Sequence, residues 1–272
     1  MYPVDSMLRI SLVSAFAMSI IGLGPTWLAG HAPAPTGFAP RMLTRGTQRM
    51  PYRLFIPNDQ ARRQPLPLVV WLHGAGGLGT DNVAQISAGG NDRGSGLWIK
   101  PDMQAKFPAF VVAPQAPTAW GAPTLEKLTA NGQLVIDLVE SLAQEFAIDR
   151  TRIYILGQSL GGIGVWDLIS KRPDVFAAAV PLCATGDTKR VAAAVDVKVW
   201  VFHGANDTGM PVANARAMVA ALRAAGGTAK YTEYADVGHD VWLRAFAEPD
   251  LPTWLFAQKR QPGNCPGLCG TP

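Results

Sequence analysis

The chain is poor in the residues that build metal centres and disulfide scaffolds: it has three cysteines and four histidines among 272 residues. Structural zinc sites and disulfide-rich secreted folds use denser Cys and His clusters, so no metal is expected. Charge is scarce as well. Asp, Glu, Lys and Arg supply 16% of the chain, and the basic residues fall in isolated pairs: Arg62-Arg63, Lys171-Arg172, Lys189-Arg190 and Lys259-Arg260. The net charge of +4 therefore comes with no basic run or aromatic-interleaved patch, which argues against a nucleic-acid partner. No apolar run reaches the ~20 residues of a membrane span. Neither a Gly-Lys-Ser/Thr phosphate loop nor a dinucleotide fingerprint occurs, and no cofactor is expected.

What is present is a composition able to bury a large core, with 48% apolar residues. The 28 Gly and 22 Pro stand mostly between apolar runs, as turn residues do. Residues 1–30 read as a secretory signal peptide: Arg9, then an apolar stretch from Ile10 to Leu23, then small residues at Ala29, Gly30, Ala32 and Ala34. Asp5 offsets Arg9 unless translation starts at Met7, and an uncleaved anchor is the rival reading. The expected localisation is secreted or periplasmic, with no stable membrane association once the signal is removed. Residues 31–48 read as a Pro/Gly linker, 49–260 as one folded domain and 261–272 as a Pro/Gly/Cys tail. Cys265 and Cys269 stand in that tail, where a small disulfide loop is open to them in an oxidising compartment. Cys183 ends an apolar run and reads as a buried small hydrophobe.

Within residues 49–260, apolar runs alternate with helical patterns. Strands are expected at 52–56, 66–72, 110–113, 153–156, 175–182, 197–202 and 230–234. Helices are expected at 133–146, 160–171, 211–225 and 249–258; in the first, Leu134, Leu138, Leu142 and Phe146 recur every four residues. Such alternation predicts a single α/β domain, a mostly parallel sheet with helices on both faces. Residues 74–108 read as a loop-rich rim with short helices. The interval after Leu182 is too short for a large cap domain.

Gly157-Gln158-Ser159-Leu160-Gly161-Gly162 follows an expected strand and opens an expected helix. A sharp strand–turn–helix bend there pushes the Ser side chain out at the carboxyl edge of the sheet. A serine hydroxyl needs a positioned base. His31 falls in the linker, His73 beside a Gly-rich loop and His203 at a strand end, which leaves His239 in the loop after the last strand. Asp207, just past the strand at 197–202, is placed to orient that imidazole. Asp236 and Asp240 are rivals, but they are too near His239 in sequence to reach Nδ1 easily. The chain order Ser159, Asp207, His239 is the α/β-hydrolase order. A developing oxyanion would be held by backbone N–H groups, those of Leu160 and of Ala75 in His73-Gly74-Ala75-Gly76-Gly77, with Gly76 second. Trp120 and Trp242 stand in loops near these motifs and are expected as substrate-binding walls, while Trp166 reads as core.

From Met50 to Lys259 the chain resembles the esterase branch of the α/β-hydrolase superfamily, the carboxylesterase/phospholipase-like or "predicted peptidase" proteins related to feruloyl esterases and polyhydroxybutyrate depolymerases. The resemblance rests on His73-Gly74-Ala75-Gly76, Ala113-Pro114-Gln115, the Ser159 motif with Trp166, His203-Gly204-Ala205-Asn206-Asp207 and Gly238-His239-Asp240. Gly209-Met210-Pro211 departs from it, since relatives often carry a bulkier residue before the Met. The resemblance implies a serine carboxylesterase acting through an acyl-enzyme on small-molecule or polymeric esters. A serine peptidase of the same fold is the alternative, and a non-catalytic binding protein the remote one.

Overall fold

The computed structural model describes residues 37–58 and 64–261. The expected signal peptide, the start of the expected linker, and Cys265 and Cys269 lie outside these residues. Eight strands form one sheet: β1 (Phe38–Arg45), β2 (Gln48–Phe55), β3 (Leu66–Leu72), β4 (Phe110–Pro114), β5 (Ile148–Gln158), β6 (Ala178–Leu182), β7 (Lys198–Gly204) and β8 (Ala229–Tyr234). Their order across the sheet is β1-β2-β4-β3-β5-β6-β7-β8. From β4 to β8 every pairing is parallel, while β1 and β2 add an antiparallel edge. Central strands must be apolar on both faces when helices cover both. All seven residues of β3 and all five of β4 and β6 are accordingly buried.

The helices are α1 (Ala84–Ser87), α2 (Asn91–Leu97), α3 (Pro101–Lys106), α4 (Ala130–Glu145), α5 (Leu160–Lys171), α6 (Val212–Ala224), α7 (Trp242–Ala245) and α8 (Asp250–Phe256). The side chain of Thr129 caps α4, accepting from the Gly132 N–H at 3.0 Å. Leu134, Leu138 and Leu142 of α4 pack in one core with α5 and α6. The opposite face of the sheet carries a second core of Trp71, Trp98, Tyr154 and Trp200, closed by Leu251 and Leu255 of α8. The short α1–α3 segments occupy the expected rim at 74–108. A single 3₁₀ turn, Val191–Ala194, fills the short interval after β6. Among the described residues no helix is long and apolar enough to cross a membrane.

One boundary differs from the sequence reading. Part of the expected linker at 31–48 is strand β1 and the first residue of β2, paired from Phe38↔Phe55 to Arg45↔Gln48. On this edge strand only Phe38 and Leu43 are buried, so no clean alternation shows. Pro40 is compatible because an edge strand can lack a ladder donor. The sheet therefore begins eleven residues before the expected domain start at 49.

The sheet order reverses at β3, whose chain proceeds to β4 on one side while β5 lies on the other. Such switch points open a crevice beyond the carboxyl ends of the strands. Here the loops after β3 and β5 flank that crevice, and both carry residues singled out from the sequence.

Candidate active site

Ser159 stands between β5 and α5 with φ 52° and ψ −116°, a backbone conformation that non-glycine residues seldom adopt. Its N–H donates to the Leu182 carbonyl at 2.9 Å and its carbonyl accepts from Ile163 at 3.0 Å, so both neighbours pin the bend. The turn also brings Gly161 against the Leu72 carbonyl, where a Cβ would collide.

From this bend a continuous hydrogen-bonded chain runs inward. His239 Nε2 lies 2.8 Å from Ser159 Oγ, and its Nδ1 lies 2.7 Å from Asp207 Oδ2. Asp207 is buried, and its other oxygen accepts from the Gly209 and Met210 N–H groups at 2.9 and 2.7 Å. Gly209, the departure noted above, thus contributes a backbone donor to the acid. The loops that carry Asp207 and His239 are joined by the Asn206 N–H donating to the Val237 carbonyl at 2.9 Å. Asp236 pairs with Arg244 at 2.7 Å, and Asp240 is exposed; the structure brings Asp207, and neither rival, to His239.

Sequence reasoning left His203 at a strand end with no task. Its buried Nε2 lies 2.8 Å from the Met210 carbonyl and 3.4 Å from Asp207 Oδ2. Because the carbonyl only accepts, Nε2 carries the proton. Nδ1 is then an acceptor, and it has no partner among the described residues. Burial pushes this imidazole's pKa down, so it stays neutral. The signal was the four-residue spacing within His203-Gly204-Ala205-Asn206-Asp207.

Cys183, at the end of β6, is buried beneath the same groups. Its Sγ, an Asp207 oxygen and a His239 ring nitrogen lie within 4.8 Å of one another. Burial pushes its thiol pKa far up, and the Asp207 and His239 atoms are engaged with each other at 2.7 Å. This is a thiol packed under a hydrogen-bonded pair and not the deprotonated donor set a metal needs.

Ala75 opens a 3₁₀ turn, Ala75–Gly77, and Leu160 opens α5, so neither N–H has an acceptor within its own helical segment. The turn after β3 is held from several sides. His73 Nδ1–H donates to the Gly74 carbonyl at 2.8 Å, and Nε2 accepts from the Ala116 N–H at 3.1 Å. Burial lowers the His73 pKa to about 4. Asn91 accepts from the Gly74 N–H at 3.0 Å, and Gln158, the residue before Ser159, donates to the Gly89 carbonyl at 2.7 Å. Asn91 and Gln158 are buried polar groups that the sequence reading did not single out.

The two tryptophans separate. Trp120, expected as a substrate wall, is fully buried, and its Nε1–H donates to the His73 carbonyl at 3.0 Å. It is a support behind the Gly-rich turn. Beyond it the loop runs down α5, where Lys171 donates to the Ala122 and Lys127 carbonyls. That lysine ends the helix begun at Leu160, ~16 Å along its axis at 1.5 Å per residue, so beyond Trp120 the loop runs away from the site. Lys171 also forms a buried pair with Asp167 at 2.6 Å. Trp242 does stand at the site: its ring meets that of His239 edge to face, with centroids 5.7 Å apart.

This arrangement, a Ser–His–Asp chain at the carboxyl edge of a mostly parallel eight-stranded sheet, defines an α/β-hydrolase. The dienelactone hydrolase family profile matches residues 50–252, three quarters of the chain, and the chain belongs to that family. Among solved structures it is similar to a thermostable esterase, with 36% identity and a TM-score of 0.78 over 84% of this chain and 64% of that one. The chain thus spans less than two thirds of that esterase. A ferulic acid esterase (17% identity, TM-score 0.62, 80% of this chain and 98% of that one) shares the fold. So does an acylaminoacyl peptidase of Pyrococcus horikoshii (14% identity, TM-score 0.61, 81% and 41%). No curated protein matches significantly.

Proposed function

We propose that this protein hydrolyses carboxylic esters through a covalent acyl-serine. The observation that carries the proposal is the unbroken chain from Ser159 Oγ to His239 and Asp207 at 2.8 and 2.7 Å, mounted on a strained bend. His239 takes the hydroxyl proton as Oγ bonds to the ester carbonyl carbon, and the carbonyl oxygen becomes the oxyanion. The N–H groups of Ala75 and Leu160 receive that charge. The carbon–oxygen bond to the alcohol then breaks, and His239 returns the proton to the departing oxygen. Water attacks the acyl-serine with His239 again as base, which releases the acid and restores Ser159. Asp207, fixed by two backbone donors, keeps the imidazole in the required tautomer and stabilises its charged form. The 36% identity to an esterase supports the ester substrate.

The test is hydrolysis of p-nitrophenyl acetate, butyrate and octanoate beside Ser159→Ala. Activity in the wild type and a loss of about 10³-fold or more in the variant are expected. Cleavage of aminoacyl anilides with no cleavage of esters would make the protein a peptidase. We further propose that it works outside the cytoplasm. A mature amino terminus near Ala29–Ala34 in the exported fraction is expected, and recovery of the protein only from the cytoplasmic fraction would overturn this.

A further inference from the structure

Between α2 and α7 lies a cavity of about 410 Å³, within the ~300–1,000 Å³ of small-molecule clefts. Leu97, Trp242 and Phe246 give it apolar walls, and Asp92, Arg93 and Lys100 supply its charges. It adjoins the base through Trp242, which lines the cavity and whose ring meets that of His239 edge to face. Gly90, just before α2, has φ +79° and packs so closely under the Trp242 Nε1 that a Cβ would collide. The carbonyl of Gly89 is held by Gln158, and Asn91 of α2 holds the Gly74 N–H. One wall is thereby tied to the nucleophile bend and the Gly-rich turn, the other to the base.

The charges are unequal. Arg93 stands 3.5 Å from the Asp92 carboxylate, with most of its side chain exposed. Lys100 has no carboxylate in ion-pairing range among the described residues. Two cations and one carboxylate at one side of an aromatic and aliphatic pocket favour an apolar group that ends in an anion. We propose that this cavity is a substrate subsite, and that the preferred esters carry an apolar arm, aliphatic or aromatic, ending in a carboxylate. The proposal rests on the esterase reading above and adds the substrate class.

The experiment compares two p-nitrophenyl esters of heptanedioic acid, one with its far carboxylate free and one with it methyl-capped. The wild type is expected to favour the free carboxylate about fivefold in kcat/KM at low salt, the size of a partly exposed ion pair. That preference should shrink at high salt. Arg93→Gln with Lys100→Gln should abolish it, and Asp92→Asn should enlarge it by removing the opposing charge. Each ratio is internal to one variant, so a general loss of activity does not imitate the result. A second measurement needs no turnover: calorimetric binding of heptanoate and of heptanamide to Ser159→Ala, with and without the two glutamine substitutions. Tighter heptanoate binding, lost in the glutamine variant, supports the subsite even where the ester ratio is flat, and then places the anionic arm on the alcohol side. A flat ratio together with equal binding of the two ligands overturns it. Failure to hydrolyse any ester overturns the esterase reading, and the binding result still decides the cavity.

Discussion

His203 Nε2 lies 3.4 Å from Oδ2 of Asp207, the oxygen that His239 Nδ1 reaches at 2.7 Å. Two imidazoles thus face one carboxylate oxygen, and the inner one, His203, is buried and neutral. The Nε2–H of His203 is donated to the Met210 carbonyl at 2.8 Å, and its positive end beside Oδ2 offsets part of the charge that faces His239. Its removal should make the carboxylate a stronger partner for a protonated base. His203→Leu is therefore expected to move the acidic limb of the kcat/KM profile to higher pH, with the plateau changed by no more than about tenfold, the scale of one charge-assisted bond. A pH profile that falls in height with its limb unmoved would reduce His203 to packing.

The oxyanion proposal is open to a backbone test. Ala75 is the first residue of its turn, and Gly74 before it is extended, with φ −75° and ψ −175°. Proline is tolerated at a first helical position and demands an extended residue before it. Ala75→Pro should therefore fold while deleting one N–H. Removal of one such donor costs on the order of 10²–10³ in kcat. The check is kcat on p-nitrophenyl acetate beside the thermal midpoint; unchanged kcat in a folded variant would assign the donor elsewhere, Gly76 being the nearest choice.

Burial of His73 makes the fold acid-sensitive in a definite window. Its folded pKa is about 4 against an ordinary 6.5, so between these values the unfolded chain binds the extra proton. Stability is fully present above about pH 6.5 and falls as pH drops toward 4. His203 acts in the same direction, since burial lowers it too. For His73 the loss amounts to about 3 kcal/mol at most. Urea midpoints at pH 7, 5.5 and 4.5 should decline steadily, while a flat series would mean that the ring gains water or a partner on protonation.

The sheet was readable because buried parallel strands such as β3 and β4 are continuous apolar runs, and because the turn at Ser159 has few sequence solutions. The edge was harder to read. β1 buries only Phe38 and Leu43, so its pairing with β2 is tertiary information absent from any local pattern. The supports around the site were hidden for a related reason. Gln158, Asn91 and His203 act through contacts across 69, 17 and four residues, and polar residues in Gly-rich loops look solvated until the fold buries them. Trp120 and Trp242 carry the same local signal, a tryptophan in a loop near a motif. Only the fold separates them, burying Trp120 against His73 and setting Trp242 against His239.

That separation makes Trp120 a test of support against recognition. Trp120→Phe keeps most of the buried ring and removes the 3.0 Å bond from Nε1–H to the His73 carbonyl. A loss of about 1 kcal/mol of stability is expected from the bond, with a buried carbonyl left unsatisfied. Trp120→Ala adds a cavity and should cost about 3–5 kcal/mol. Because the side chain is fully buried, Trp120→Phe should leave the ranking of acetate, butyrate and octanoate esters as it is in the wild type. Trp242→Ala, by contrast, should change that ranking, since its ring faces both His239 and the α2–α7 cavity. A changed ranking in Trp120→Phe with unchanged stability would return Trp120 to the substrate wall.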